Sequence, residues 1–392
     1  MIQIDSQRLL ADLRKLSTFG KAGTGVDRPA YSEADVAARR WLEGRMREAG
    51  LEASVDRYGN VYGRSPKASR AILIGSHTDS VPKGGWLDGA LGVMYGLEIA
   101  RACIEQKSRE AVDVVSFEEE EGRYLPFLGV NSFCGLPEAT LSPALRDALG
   151  ASGFNGAPAR LDKARHIAYL EAHIEQGPKL EAARKRIGVV TGIVGIRRCR
   201  ITARGQADHA GTTPMAMRKD AGAALLNLAA RILGTFPRLG AADTVWNIGI
   251  VQVEPGAANV VPAAASMVVE FRDLDATVLE RMLAGLREMV AEAGRGPVEV
   301  ALDVFARIEP APMDSRIAAA IAAASAEENE QPLSMPSGAG HDAMVVSRVL
   351  PSAMLFIPSI GGRSHDIAED TSEDDIVLGC RVLARAVEKL AA

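Results

Sequence analysis

Ile72-Leu-Ile-Gly-Ser-His-Thr-Asp-Ser-Val-Pro82, followed at once by Gly84-Gly-Trp-Leu-Asp-Gly89, is the stretch on which the reading of this chain turns. Three consecutive apolar residues have the character of a buried strand near its end. The strand hands over to a loop rich in Gly, Ser and Pro that carries His77, Asp79 and Asp88, with glycines at 75, 84, 85, 89 and 92. Glycine lets the backbone turn tightly and lets a ligand come close. Open α/β sheets place their sites at the carboxyl ends of the strands. A histidine and two aspartates delivered there together predict a divalent-metal site.

Other stretches repeat the arrangement. Ala111-Val-Asp-Val-Val-Ser-Phe117 is a second buried strand, and it empties into Glu118-Glu-Glu-Glu-Gly122. A charge run is ordinarily a solvated face, and that accounts for two of the four glutamates. The others lie at the mouth of a strand expected to run parallel to the first, and can point into the same crevice. Tyr169-Leu-Glu-Ala-His-Ile-Glu-Gln-Gly177 holds His173. Ala353-Met-Leu-Phe-Ile357 leads into the Gly-rich Pro358-Ser-Ile-Gly-Gly-Arg-Ser-His-Asp-Ile-Ala-Glu369, which holds His365. His77, Asp79, Asp88, Glu120, Glu121, His173 and His365 are thus the metal-ligand types near strand ends, and they use three of the six histidines.

The flanking sequence supplies helices and a second kind of domain. Asp5 or Ser6 caps a helix to about residue 17, and Ser32 caps one over 33–49. Short strands are expected at 51–55 and 60–62, a helix just after Asp88 to 102, and a helical excursion with loops over 137–165. This alternation predicts an α/β layer domain with a mostly parallel central sheet flanked by helices. From about 187 the pattern becomes strand–helix–strand–strand–helix–strand, with helices over 221–233 and 276–293, the order of a ferredoxin-like α+β unit. The expectation is therefore a catalytic domain of 1–186 and 305–392, closed by helices over 315–326 and 374–390, with 187–304 inserted.

Bulk properties narrow the function. A 392-residue chain that is 47% hydrophobic can bury a sizeable core without disulfides. Its 45 basic and 50 acidic residues leave a net charge of −5, which argues against nucleic-acid or anionic-membrane partners. Four cysteines without C-x-x-C spacing predict buried free thiols in a reducing compartment. No apolar run reaches membrane-spanning length and no signal-type segment stands at the start, so a cytoplasmic protein is expected.

Eight motifs, in order along nearly the whole chain, carry a family resemblance. They are the Gly75–Gly89 loop already quoted, Glu120-Glu-Gly122, Ala172-His-Ile-Glu-Gln-Gly177, Asp208-His-Ala-Gly-Thr-Thr-Pro214, Asn259-Val-Val-Pro262, Phe271-Arg-Asp273, Ser337-Gly-Ala-Gly-His-Asp342 and Gly362-Arg-Ser-His365. Together they resemble the hydantoinase/carbamoylase branch of the dinuclear zinc aminoacylase-type amidohydrolases. That branch includes N-carbamoyl-L-amino-acid hydrolases, metal-dependent β-ureidopropionases and allantoate amidohydrolases.

The resemblance implies roles residue by residue. Asp88 would bridge two divalent ions, zinc first, with manganese, cobalt and nickel open to the same ligand types. His77 and His173 would complete one ion, and Glu121 and His365 the other. Asp79 would hydrogen-bond His77 and fix its tautomer. Glu120 would be the general base, its register fixed by analogy with the family's Glu-Glu-Gly. His209 would stabilise the oxyanion from a lid and dimerisation domain, entering the neighbouring chain's site in a homodimer. Asn259 and Arg272 would hold a substrate carboxylate, with Gln176 and the backbone of Gly361 and Gly362 as further contacts. Arg363 and Asp366 beside His365 either tune the pocket or form a plain exposed ion pair, and His341 has no assigned role.

The implied reaction is hydrolysis of a C–N bond in an N-carbamoyl-L-amino acid or similar ureido acid, releasing ammonia, carbon dioxide and an amino acid. Allantoate or a related ureide is the first alternative substrate, and an N-acyl amino acid or dipeptide the second. A non-catalytic metal-binding receptor is the alternative from another class. A pseudoenzyme would be expected to lack the base or a ligand, and every matching position here is filled.

Overall fold

The computed structural model describes residues 1–66, 68–136 and 140–391. The chain divides into two compact units, Met1–Gly192 with Pro312–Ala392, and Ile193–Ala311.

In the larger unit Ala71–His77 is buried at every position, as a strand covered on both faces must be. It pairs in parallel with Val112–Phe117 on one side and with His166–Ile174 on the other. His166–Ile174 pairs in parallel with Ser352–Ile357. This parallel centre is flanked by antiparallel strands: Val61–Arg64 and Glu52–Val55 beyond Val112–Phe117, and Gly188–Ile193 beside Ser352–Ile357. Ile72, Leu73 and Ile74 are each at most 1% exposed. Burying such a side chain contributes about 1.5–3 kcal/mol.

Helices flank the sheet. Ala90–Glu105 is buried from Ala90 through Cys103 and packs on Ala71–His77 and Val112–Phe117. The enclosed stretch is apolar except for Glu98 and Arg101, which lie buried 3.5 Å from one another. Ser6–Leu16 starts at Asp5, whose carboxylate accepts from the Arg8 amide, and Glu33–Glu48 starts at Ser32, whose hydroxyl accepts from the Asp35 amide. Glu373–Ala391 packs on Ser315–Glu327 and Ser352–Ile357. Within the expected 137–165 excursion, Pro143–Ser152 is helical, and residues 137–139 lie outside the described residues.

The smaller unit is a four-stranded antiparallel sheet in the order Val245–Glu254, Ala264–Asp273, Gly195–Arg204, Glu299–Ile308. Ala221–Leu239 and Ala276–Ala293 pack on it, and this order with its two crossover helices is the ferredoxin-like arrangement. Alternate residues of the central strands, among them Ile201, Met267, Val269 and Phe271, face the helices and form the core.

Two boundaries differ from the sequence reading. Gly188–Ile193 was expected to open the inserted unit, but it pairs with Ser352–Ile357 through Val189 and Leu355. The segment is apolar and buried at all but Thr191, as either sheet would allow, so the pattern does not choose. At the other end, Glu299–Ile308 runs past 304. Among the described residues no helix is long and apolar enough to cross a membrane. Cys103, Cys199 and Cys380 are buried free thiols, and Cys134 is half-buried and free.

Candidate metal centre

The parallel strands end at one edge, and their loops bring the candidate ligands of the larger unit together. Asp88 is the hub. Its Oδ1 lies 3.0 Å from His173 Nε2 and 3.6 Å from His77 Nε2. Its Oδ2 lies 3.3 Å from His365 Nε2, which is 3.6 Å from Glu121 Oε2. Two overlapping donor groups result, His77–Asp88–His173 and Asp88–Glu121–His365, each with its donor atoms within 4.8 Å of one another. One oxygen of Asp88 faces each histidine set, as a bridging carboxylate must.

Local chain geometry makes this convergence possible. Gly89 has φ of +64°, and a Cβ there would sit 2.5 Å from the His77 ring. Only glycine lets the helix Ala90–Glu105 begin directly after Asp88 with the imidazole lying against the turn. The other ring nitrogen of each inner histidine is also engaged. His77 Nδ1 lies 3.0 Å from the Asp79 carbonyl oxygen, and His173 Nδ1 lies 2.8 Å from the Ile174 carbonyl oxygen. With Nδ1–H donating to a carbonyl, Nε2 of the neutral ring is the nitrogen that would offer its lone pair to a metal ion beside Asp88.

The structure reassigns the Asp79 side chain. Its carboxylate Oδ1 is 3.8 Å from His77, outside hydrogen-bond distance, and it is the backbone carbonyl that orients the imidazole. The carboxylate accepts instead from the Glu121 amide at 3.2 Å and lies 3.4 Å from Arg39 Nη2. Asp79 therefore anchors the loop that carries Glu120 and Glu121.

The four glutamates depart further from expectation, because none lies on a solvated face. Glu118 is fully buried in an ion pair with Arg39, itself fully buried and paired with Asp35. Glu119 is buried and accepts the amides of Tyr124 and Leu125. Glu120 and Glu121 side chains are only 9% and 10% exposed, and Glu120 Oε2 lies 3.7 Å from His77 Nε2. A buried cation two helical turns into Glu33–Glu48 is the feature that lets a charge run follow a core strand.

The electrostatics of the cluster suit a cation. Burial pushes the Asp88 carboxyl up, but hydrogen bonds to His173, His365 and His77 outweigh it and hold it well below the usual carboxylate range. Burial pushes Glu121 up to about 7, with Asp88 adding repulsion. Burial also drives Glu120 well above the ordinary value; His77 opposes this, and Asp342 and Glu121 reinforce it. A hydrogen bond to Asp88 raises His365 to about 9 against the effect of burial. Carboxylates crowded in a water-poor pocket are relieved by divalent charge, and the donor types are those zinc and related ions take. The residues present thus fit a pair of divalent ions.

Of the remaining candidates, Gln176 joins this cluster, donating through Nε2 to Asp88 Oδ2 at 3.1 Å. The Gly361 and Gly362 amides are engaged locally, by Glu181 Oε2 at 3.1 Å and the Ser359 carbonyl at 2.9 Å, so neither is free for a substrate in this state. Arg363 and Asp366 are exposed, 3.9 Å apart. His341, with no role assigned from sequence, packs its buried ring 4.5 Å from that of His173 and lies 2.9 Å from the Ser337 hydroxyl. Burial and the neighbouring His173 hold His341 well below the usual imidazole range, so it stays neutral behind the ligands.

In the smaller unit, Asp208–His209 pairs with Val260–Val261, and the Ala210 amide donates to the Asn259 carbonyl, so His209 and Asn259 are neighbours. The exposed His209 accepts the Gly211 and Thr212 amides at Nδ1, which leaves Nε2 as the protonated, donating nitrogen. Arg272 pairs with Glu270 at 2.7 Å.

With this geometry in hand, comparison with known proteins is decisive. A model of the peptidase family M20/M25/M40 matches residues 73–389. The chain belongs to that family. It is 35% identical to an N-carbamoyl-L-amino-acid amidohydrolase of Paenarthrobacter aurescens, over 98% of each chain. It is 34% identical to an allantoate amidohydrolase of Escherichia coli (strain K12), covering 100% of this chain and 99% of that one. The crystal structure of an amidase of the hydantoinase/carbamoylase family from Burkholderia phymatum superposes with a TM-score of 0.93 at 47% identity, covering 100% of this chain and 98% of that one. The resemblance read from the motifs is thereby borne out, and the chain is an amide-hydrolysing enzyme.

Proposed function

We propose that this enzyme hydrolyses the C–N bond of an N-carbamoyl-L-amino acid or similar ureido acid, using two divalent ions, zinc foremost. The observation that carries the reading is the Asp88 carboxylate, with one oxygen toward His77 and His173 and the other toward His365. The carbamoyl amino acid and allantoate hydrolases to which the chain is similar give the substrate class. Allantoate is kept as the second reading, since that relative matches over an equal span.

Bound divalent ions would acidify water and polarise the scissile carbonyl. Glu120, buried beside His77, takes the proton of the attacking water and returns it to the leaving nitrogen. Its raised affinity for a proton suits it to that shuttle. His209, with Nε2–H free to donate, is assigned to the tetrahedral oxyanion. Arg272 offers a planar fork and Asn259 an amide to the substrate carboxylate.

The oxyanion donor is proposed to come from the neighbouring chain of a homodimer. Support lies in the Val245–Glu254 strand, which stands at the edge of its sheet with Ile250 and Val251 about half exposed. An apolar edge strand is a ready surface for two-fold pairing.

The test is ammonia release by purified protein from N-carbamoyl-L-amino acids, 3-ureidopropionate and allantoate. Turnover of one of them is expected. Amine release from N-acyl amino acids without ammonia from any ureide would overturn the substrate class.

A further inference from the structure

Glu369 lies outside both donor groups and has no place in the steps above, yet its carboxylate is 1% exposed and fully engaged. Oε1 accepts the amides of Leu87 at 3.1 Å and Asp88 at 3.0 Å. Oε2 accepts the Ser364 hydroxyl at 2.8 Å. Ser364 Oγ in turn accepts from Gln176 Nε2 at 2.9 Å, and the same amide group donates to Asp88 Oδ2 at 3.1 Å. The result is a closed circuit: Glu369 holds the Asp88 backbone directly and the Asp88 side chain through Ser364 and Gln176. Space for the carboxylate is built in, because a Cβ on Gly85 would lie 1.9 Å from Glu369 Cδ.

We infer that Glu369 is a positioning residue for the half of the metal centre formed by Asp88, Glu121 and His365. It ties the loop that ends at Asp88 to the loop that carries His365. Two successive amides on one oxygen fix the direction of the peptide preceding the Asp88 side chain, as anion-binding backbone nests do. The Ser364 bond fixes the residue next to His365. His77 and His173 have their own carbonyl anchors and need nothing from Glu369. His365, 53% exposed, has no such anchor among the described contacts. Asp88 belongs to both donor groups, so loss of Glu369 is expected to weaken both ions, and more strongly the one at Asp88, Glu121 and His365, whose loop Glu369 also holds through Ser364. The inference rests on the two-ion reading above.

The experiment is chelator-competition titration of zinc into metal-stripped full-length protein, with melting temperature measured alongside. Wild type is expected to bind two ions. The ion at this half is identified as the one that His365→Ala weakens most; Glu369→Ala should weaken that ion by ~10- to 100-fold, the usual range for groups that orient ligands, and the other ion by less. Ser364→Ala, which leaves the amide contacts intact, should weaken the same ion less. Tyr62→Phe is the control: it removes a 2.8 Å hydrogen bond to Asp113, at the opposite ends of the strands, and should lower the melting temperature while keeping both ions. Adding Glu369→Ala to His365→Ala should cost the remaining ion less than Glu369→Ala costs the His365-half ion in the wild-type background. A folded Glu369→Ala or Ser364→Ala protein that binds both ions at wild-type affinity, or loses both equally, overturns the inference. Wild type that binds fewer than two ions overturns the two-ion reading itself and this inference with it.

Discussion

The donors of the larger unit and those of the smaller unit are held in opposite ways. Around Asp88 the imidazoles of His77 and His173 are buried and braced by carbonyl oxygens, and the carboxylates are buried among their partners, while His365 meets Asp88 from the exposed side. His209 is exposed and set by the amides of its own turn, and Arg272 is steered by Glu270 two residues away on its strand. Buried, mutually dependent charges leave an uncompensated charge when one is removed, at a cost of several kcal/mol. Exposed donors can be removed with their surroundings intact. The comparison therefore predicts large effects on metal and turnover in the first region, and smaller effects confined to kinetics in the second.

The largest kinetic effect is expected at Glu120. Glu120→Gln should keep its metal and lose ~100- to 10,000-fold in turnover, the value of positioned proton transfer. Glu121→Gln should instead weaken metal binding, since its Oε2 faces His365. Metal content and kcat measured on both variants check the register, and swapped outcomes would move the base by one residue.

Next comes His209→Ala, which should lose ~100- to 1,000-fold in kcat as one oxyanion donor does, with metal content unchanged. Mixing Glu120→Gln and His209→Ala chains after dissociation sharpens the contrast between the regions. If the donor crosses between chains, roughly a quarter of all sites should recover by two-fold counting. If each chain builds its own site, none recovers.

At Arg272 the loss should fall on KM. Removing a charged hydrogen-bond partner costs about 1.5–3 kcal/mol, so Arg272→Ala should raise KM about 10- to 100-fold for substrates with a free carboxylate. Amidated substrates should be nearly indifferent; equal damage to both would make the Arg272–Glu270 pair structural.

Much of this was legible in the chain, and the exceptions have a common cause. The five candidate ligand positions sit in short strand-end motifs, where local sequence carries the chemistry. The partners that hold them do not. Glu369 reaches the Asp88 amide from 281 residues away, and Arg39 reaches Glu118 from a helix whose pattern gives no sign of a buried cation. Without Arg39 in view, the Glu118–Glu121 run reads as half solvated. Asp79 orients His77 through its backbone carbonyl, a contact that side-chain identity does not encode. The start of the smaller unit was misplaced because Gly188–Ile193 is buried almost throughout and nothing in its own residues marks Ser352–Ile357 as its partner.

The smallest expected effect on activity, and a clean effect on stability, lies at Asp113, away from both regions. Burial pushes its carboxyl up, but Arg165, His166, the Ser65 amide and the Tyr62 hydroxyl outweigh burial and hold it well below the usual carboxylate range. A depressed folded-state pKa stabilises above the unfolded value of about 3.9 and loses that stabilisation as pH falls through the folded value. Asp113→Asn should cost about 3–5 kcal/mol at neutral pH, and thermal melts should show the gap to wild type narrowing as pH falls below 4. A gap independent of pH would mean that the carboxylate's charge contributes nothing.

The central claim is that Asp88 bridges two divalent ions on which hydrolysis depends. The direct measurement is to strip the protein of metal, titrate zinc or manganese back, and follow ammonia release from the best ureido substrate against ions bound per chain. The account predicts no turnover in the stripped protein and a rise that completes at two ions per chain, with neither step reached by Asp88→Ala. Turnover in metal-free protein, or full turnover from an Asp88→Ala chain, would contradict it.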